Sequence, residues 1–295
     1  MEIIGWLGTG IMGSSMCRHM LNAGNHVYVY NRTASKADPL VAEGAVWCES
    51  PGEVAKKSTL IFSIVGYPSD VEKIMLGEDG IINNTKPGSV IIDMTTSTPT
   101  LAETIQAIAS KKDISALDAP VSGGDVGAKA AKLAIMVGGD HPTFQRVQPF
   151  LNHMGENIAY MGGPGKGQHT KMSNQILIAG TMIGVVESLL YAYKAGLDLD
   201  KVISVIGKGA ASSWSINHLG AKIAKDDFDP GFFVKHFVKD MRIALDESRR
   251  MQLALPGLAL AEQFYTSAMA QGYDSLGTQS LYKVLQQING LEVKP

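Results

Sequence analysis

The sequence predicts an α/β domain built on a doubly wound, mostly parallel sheet, followed by an all-α domain. Three observations predict it. Through the first half, short apolar runs alternate with helical patterns, as βαβ units do. At Gly162-Gly163-Pro164-Gly165-Lys166-Gly167, five of six residues are Gly or Pro, which marks a boundary. Beyond it the strand-like runs stop, and apolar residues recur at three- and four-residue spacing. The division is drawn there, with residues 1–163 as the α/β domain and 164–295 as the helical one.

The expected strands are Ile3–Leu7, His26–Tyr30, Thr59–Val65, Ser89–Asp93, Ile114–Asp118, Leu133–Val137 and Asn157–Met161. They are short, β-branched and mostly apolar, as strands covered on both faces are. Helices are expected at about residues 11–23, 69–76, 99–111 and 141–153, with Ser69 and Pro142 suited to N-terminal positions and Gly24 to a C-terminal cap. The helical domain opens with one helix from Gln168 to Ala195, followed by apolar positions such as Ile243, Leu255, Leu258 and Phe264. Its apolar stretch, Ile176 to Tyr193, contains Thr181, Glu187 and Ser188. A buried soluble helix and subunit interface fits it better than a membrane span. Gly180 and Gly184, four apart on it, then read as close helix packing and not as a membrane dimer motif.

Composition narrows the function classes. The chain has 295 residues and a formal charge of −2, from 26 Lys and Arg against 28 Asp and Glu. That balance lacks the basic excess that nucleic-acid binding needs. The two cysteines, Cys17 and Cys48, are too few for a disulfide scaffold or a four-thiolate zinc site, so no metal site is assigned. Met1 leads almost directly into a strand with no charged leader, so a cytoplasmic protein is expected.

Gly8-Thr9-Gly10-Ile11-Met12-Gly13 is a G-x-G-x-x-G that follows the first strand and opens a helix, the context in which it binds dinucleotides. Gly8 permits the tight turn, Gly10 lets a pyrophosphate approach the backbone, and Gly13 lets helix pack on strand. The free N–H groups at the helix start then face the anion. This is a Rossmann fingerprint. Where an NAD site carries an acidic residue, this chain has Asn31-Arg32-Thr33, starting 18 residues after Gly13. Asn31 has no charge to repel a 2′-phosphate, Arg32 can pair with one, and Thr33 can donate to it. NADP(H) is therefore favoured, with NAD(H) as the alternative if Arg32 is only a solvated surface charge.

Two further segments carry chemistry. Asp118-Ala119-Pro120-Val121-Ser122-Gly123-Gly124 follows the fifth expected strand, at the end of the sheet where ligands bind. Its Ser-Gly-Gly turn offers a hydroxyl and backbone N–H groups to a carboxylate; as a plain alternative it is only a turn. In Gly167-Gln168-His169-Thr170-Lys171-Met172-Ser173-Asn174, Lys171 and Asn174 are three apart and share a helix face. His169 points elsewhere and reads as structural.

Taken together these motifs resemble the β-hydroxyacid dehydrogenase family, which includes 3-hydroxyisobutyrate dehydrogenase, tartronate semialdehyde reductase and the glyoxylate/succinic semialdehyde reductases. The resemblance spans essentially the whole chain. It adds Asp93-Met94-Thr95-Thr96, Met136-Val137-Gly138-Gly139 and Lys239-Asp240 to the segments above. It implies that Thr96, Lys239 and the Val65-Gly66-Tyr67 loop lie by the cofactor. Ser122, Gly123, Gly124 and Asn174 fall on substrate-binding positions, and Lys171 on the catalytic lysine. It implies a site between a Rossmann domain and a helical domain, and a small carboxylate substrate. The apolar helix over 176–193 suggests a subunit interface, hence a homodimer or homotetramer. Many members carry Leu-Pro where Val65-Gly66 stands, and Gly-Thr where Ala131-Lys132 stands.

The implied reaction is hydride transfer between nicotinamide and a small 3-hydroxy acid or semialdehyde. Lys171 would give the proton to the developing alkoxide in reduction and take it in oxidation. Ser212-Ser213-Trp214-Ser215 and Phe232-Phe233, with His236 and Asp240, could wall a pocket, although ordinary core packing explains the aromatics more simply. A decarboxylating enzyme of the 6-phosphogluconate dehydrogenase type would need a phosphate pocket; Arg242, Arg249 and Arg250 are available, but the chain is short for it. A non-catalytic dinucleotide-binding scaffold is the other alternative, and intact Lys171, Asn174 and Ser122 argue against it.

Overall fold

The computed structural model describes residues 2–291. The chain divides into two units, Met1–Lys171 and Met172–Pro295. The first holds a sheet of strands β1 (Ile4–Leu7), β2 (Val27–Tyr30), β3 (Val46–Trp47), β4 (Leu60–Ser63), β5 (Val90–Asp93), β6 (Ser115–Asp118), β7 (Val121–Ser122), β8 (Leu133–Gly138) and β9 (Gly155–Gly162). The order is β3-β2-β1-β4-β5-β6-β8-β7, with β9 also paired to β8. From β3 to β6 all neighbours are parallel. Strand β8 runs antiparallel to β6 and β7 and parallel to β9. The expected doubly wound, mostly parallel sheet is the one observed.

Side-chain alternation along each strand feeds two cores. Trp6, Phe62 and Ile92 enter one, with Met16, Met20 and Phe144; Leu7, Ile61 and Ile91 enter the other, with Val54, Val71 and Ile105. Every residue of β1, β4 and β5 is buried, which is why these segments read as unbroken apolar runs. Helix Pro99–Ser110 starts on a Thr98 cap and helix His141–Leu151 on an Asp140 cap, each accepting a backbone N–H three residues on. Ser69 lies in the first turn of helix Pro68–Leu76, as expected, behind Pro68. Gly24, at φ +80°, follows the end of helix Ile11–Asn22 as expected.

Helix Lys166–Lys194 has 29 residues. Its first turns, through Lys171, cluster with the sheet unit. The reason is chemical: Gly165 and Gln168 are hydrogen-bonded to Asp118 at the end of β6.

The second unit is helical, as expected. In helix Val234–Arg250 the buried Val234, Phe237, Val238, Met241 and Ala244 recur at helical spacing. They join Met182, Val186, Leu189, Tyr265 and Leu281 in one core. Helix Lys166–Lys194 is long and apolar enough to cross a membrane by length and composition, yet Met172, Ala179, Met182 and Val186 pack into that core. A Cβ on Gly180 or Gly184 would meet nothing within 4 Å. Among the described residues the pair therefore makes no close helix packing within the chain, which leaves the close packing expected from its spacing to a contact with another chain.

Candidate active site

Strand β1 pairs with β2 on one side and β4 on the other, so the chain order reverses between β1 and β4. The carboxyl ends beside such a reversal bind ligands in open α/β sheets. The glycine loop leaves β1 there. Gly8 has φ +98°, and a Cβ on it would overlap the Ile64 carbonyl oxygen. A Cβ on Gly13 would overlap the Gly8 carbonyl oxygen. Packing thus demands Gly8 and Gly13 but not Gly10. Gly10 has ordinary φ −69° and ψ −173°, and a Cβ on it would meet nothing within 4 Å. The hydroxyl of buried Thr9 has no partner. Open space over Gly10, an unpartnered donor and the N–H groups opening helix Ile11–Asn22 fit a pyrophosphate. Ile11 is exposed and Met12 half-buried beside them.

The neighbouring residues close around this loop. Asn31 Oδ1 accepts the Thr9 N–H at 3.0 Å, and Asn31 Nδ2 donates to the Thr33 carbonyl at 2.8 Å. Arg32 is 81% exposed and reaches Asp70 at 3.0 Å, so its guanidinium lies at the surface next to the loop. The Val65 N–H donates to Thr95 Oγ1 at 3.0 Å, which ties the end of β4 to the end of β5. Thr96 follows, half-buried.

Beyond β6 the Ser-Gly-Gly segment is more ordered than a bare turn. Ser122 ends β7, which pairs with β8 at Ala134. Gly123 and Gly124 have φ +133° and +60°, conformations that glycine takes without strain, and Gly124 begins helix Gly124–Lys129. Ser122 is half-buried and Gly123 exposed.

The start of helix Lys166–Lys194 is pinned to the sheet. Asp118 Oδ1 accepts the Gly165 N–H and Oδ2 the Gln168 N–H, both at 2.8 Å. The Gln168 side chain accepts the Ser97 N–H at 3.0 Å and donates to the Thr95 carbonyl at 2.7 Å. Burial pushes the Asp118 carboxyl up to about 6, against the pull of those N–H groups. Lys171, one turn beyond Gln168, is 6% exposed. A lysine is rarely so buried unless its ammonium has a task or a partner. His169 is half-buried. Neither Asp118 nor Gln168 stood out as a functional residue in the sequence.

In the second unit Asn174 Nδ2 donates to Gln175 Oε1 at 2.7 Å, and Gln175 Nε2 donates to Asp240 Oδ2 at 2.6 Å. Lys239 pairs with Asp240 Oδ1 at 3.1 Å. Asp240, 1% exposed, therefore sets which way both amides face. Trp214 is not core: it is 58% exposed and stacks on His218 with ring centroids 4.5 Å apart. Phe232 does pack against the helical core.

The fold and the glycine loop define a dinucleotide-binding α/β protein carrying a helical second unit. Comparison with known proteins is more specific. Residues 3–162 match the NAD-binding domain of 6-phosphogluconate dehydrogenase, and residues 165–285 match the NAD-binding model of NADP-dependent 3-hydroxyisobutyrate dehydrogenase. The chain is 52% identical to the probable mitochondrial 3-hydroxyisobutyrate dehydrogenase-like 1 of Arabidopsis thaliana, over 99% of this chain and 87% of the relative. It is 35% identical to the 2-hydroxy-3-oxopropionate reductase of Escherichia coli, over 96% and 97%. The structure of Mycobacterium tuberculosis 3-hydroxyisobutyrate dehydrogenase with L-serine superposes with a TM-score of 0.88 at 28% identity, covering 97% of this chain and 99% of that one. The chain belongs to the β-hydroxyacid dehydrogenase family.

Proposed function

We propose that the chain is an NADP(H)-preferring oxidoreductase acting on a short 3-hydroxy acid or the matching semialdehyde, with Lys171 as general acid and base. The observation that carries the reading is a buried lysine, 6% exposed, held one turn after a pinned helix start and three residues before Asn174. The nicotinamide supplies or accepts the hydride. Gly8, Gly10 and Gly13 with Thr9 hold its pyrophosphate, and Arg32 and Thr33 receive the 2′-phosphate. Val65, Thr96 and Lys239 line the cofactor, as the family resemblance implies. In reduction the Lys171 ammonium donates its proton to the carbonyl oxygen as negative charge develops there; in oxidation the neutral amine takes the hydroxyl proton. The Ser122 hydroxyl, the Gly123 and Gly124 N–H groups and Asn174 hold the substrate carboxylate and orient the carbonyl.

The names of the relatives, among them a 2-hydroxy-3-oxopropionate reductase and a 2-(hydroxymethyl)glutarate dehydrogenase, support a substrate carrying both a hydroxyl or carbonyl and a carboxylate. Nicotinamide absorbance, followed with NADPH and then NADH over glyoxylate, succinic semialdehyde, tartronate semialdehyde and methylmalonate semialdehyde, tests the reading. It predicts saturable turnover of at least one of them, faster with NADPH.

A homo-oligomer, dimer or tetramer, belongs to the same proposal. Leu177 and Tyr191, 72% and 76% exposed, lie on one stripe of helix Lys166–Lys194 with the open Gly180 and Gly184. A second copy of that helix would bury them. Light scattering on the parent chain and on Leu177→Glu tests it: a dimer or tetramer that loses this interface and falls to a smaller species is expected.

A further inference from the structure

Helix Lys166–Lys194 starts without a cap of its own. The residues at its entrance, Gly163-Pro164-Gly165, contain no Ser, Thr, Asp or Asn, the side chains that ordinarily satisfy the first N–H groups of a helix. The acceptor comes instead from 47 and 50 residues away, where the two oxygens of Asp118 take the N–H groups of Gly165 and Gln168. The surroundings leave room for that carboxylate and little else. A Cβ on Gly138 would stand 2.5 Å from Asp118 Oδ1, and one on Gly167 would stand 2.8 Å from Oδ2. Asp118 is 5% exposed. An ionised carboxylate is costly at such a site, and a neutral acceptor could have capped the helix more cheaply.

We infer that Asp118 is a positioning residue: from the end of β6 it caps helix Lys166–Lys194 and so fixes where Lys171 stands. The inference rests on the reading of Lys171 as the proton carrier. The two oxygens hold the helix start at two points, Gly165 and Gln168, which sets both the height and the rotation of the first turn. Gln168 adds two bonds to the Thr95–Ser97 segment. Lys171 lies three residues on, so a rotation at Gln168 is carried directly into its side chain. Displacing a catalytic group by about 1 Å costs on the order of 10²-fold. The charged or titratable groups on the elements packed against β6 and on the first turns of the capped helix are Asp93, Glu103, His141, Arg146, Lys166, His169 and Lys171. Of these, Asp93 on the adjoining strand adds to burial in raising the Asp118 carboxyl.

Two measurements test the role. In the parent chain, the backbone amide resonances of Gly165 and Gln168 should shift together with pH, with a common midpoint near the value of about 6. Asp118→Asn keeps the shape but turns an N–H2 toward one backbone N–H. It should lower kcat by ~10-fold to ~100-fold, leave the NADPH dissociation constant and KM nearly unchanged, and remove the acid limb near that midpoint from the kcat profile. A kcat within about twofold of the parent would overturn the inference. So would a loss of kcat matched by an equal loss of cofactor affinity. If the variant does not fold, the amide titration decides: independent shifts at Gly165 and Gln168, or none across the pH range in which the Asp118 carboxyl itself titrates, contradict the cap. A parent chain that turns over none of the carbonyl acids defeats the oxidoreductase reading, while the titration still tests the cap.

Discussion

Asn31 Oδ1 accepts the backbone N–H of Thr9 at 3.0 Å, so the residue that closes β2 also closes the glycine loop after β1. An aspartate could accept the same N–H, but it would set a negative charge where the proposed reading puts a 2′-phosphate, and it could not donate to the Thr33 carbonyl. Asn31→Asp is therefore expected to lower the ratio of kcat/KM for NADPH over NADH at least ~10-fold, chiefly through the KM for NADPH. Arg32→Ala should move the ratio the same way, since its exposed guanidinium is free to swing from Asp70 to a phosphate. A ratio unchanged in both variants would detach Asn31 and Arg32 from cofactor choice.

Gly10 and Gly13 separate folding from binding. Gly10→Ala places its methyl in open space at an ordinary backbone angle. The melting temperature of the cofactor-free variant should stay within about 1 °C of the parent, while NADPH affinity falls ~10-fold or more. Gly13→Ala instead forces a methyl against the Gly8 carbonyl and should destabilise the first unit by several kcal/mol, on the order of ~3. Calorimetry without cofactor, paired with a fluorescence titration of NADPH, separates the two.

Ala131 holds φ +57°, a left-handed conformation that an L side chain takes at a cost. Ala131→Gly should stabilise the first unit by about 0.5–1 kcal/mol after the extra freedom glycine gains in the unfolded chain. Activity should not change. A fall in melting temperature would show that the Ala131 methyl contributes more packing than strain.

The pH dependence of stability has a defined sign at Asp118. Its carboxyl is raised from 3.8 to about 6 in the fold, so between those values the folded chain holds a proton that the unfolded chain has lost. This group's contribution therefore favours the fold at low pH and declines as pH rises through that window, then levels off. Denaturant midpoints of the parent and Asp118→Asn, compared across about pH 4–7, should differ in slope in that sense.

Much of this was legible in the sequence where a signal is local. The G-x-G-x-x-G, the apolar strand runs and the change of periodicity after Gly167 each lie within a few residues. They predicted the sheet, the helical second half and the loop that fits a pyrophosphate. Strands β3 and β7 were not legible, because two residues each carry no periodicity. Asp118 carries no local signal because its partners are 47 and 50 residues away, and neither does Gln175, because Asp240, which orients it, is 65 away. Trp214 misled for a different reason: large aromatics are mostly buried, and this one instead stacks on His218 at the surface. The Gly180 and Gly184 spacing promised a neighbour that the described residues of the single chain do not supply.

The most direct test of the account is Lys171→Ala, with turnover and NADPH binding measured on the same preparation. The account predicts that kcat on whichever carbonyl acid the parent reduces falls by ~10² to ~10⁴, with the NADPH dissociation constant essentially unchanged. A variant that keeps kcat within about tenfold of the parent would contradict it, and the proton would have to come from another group.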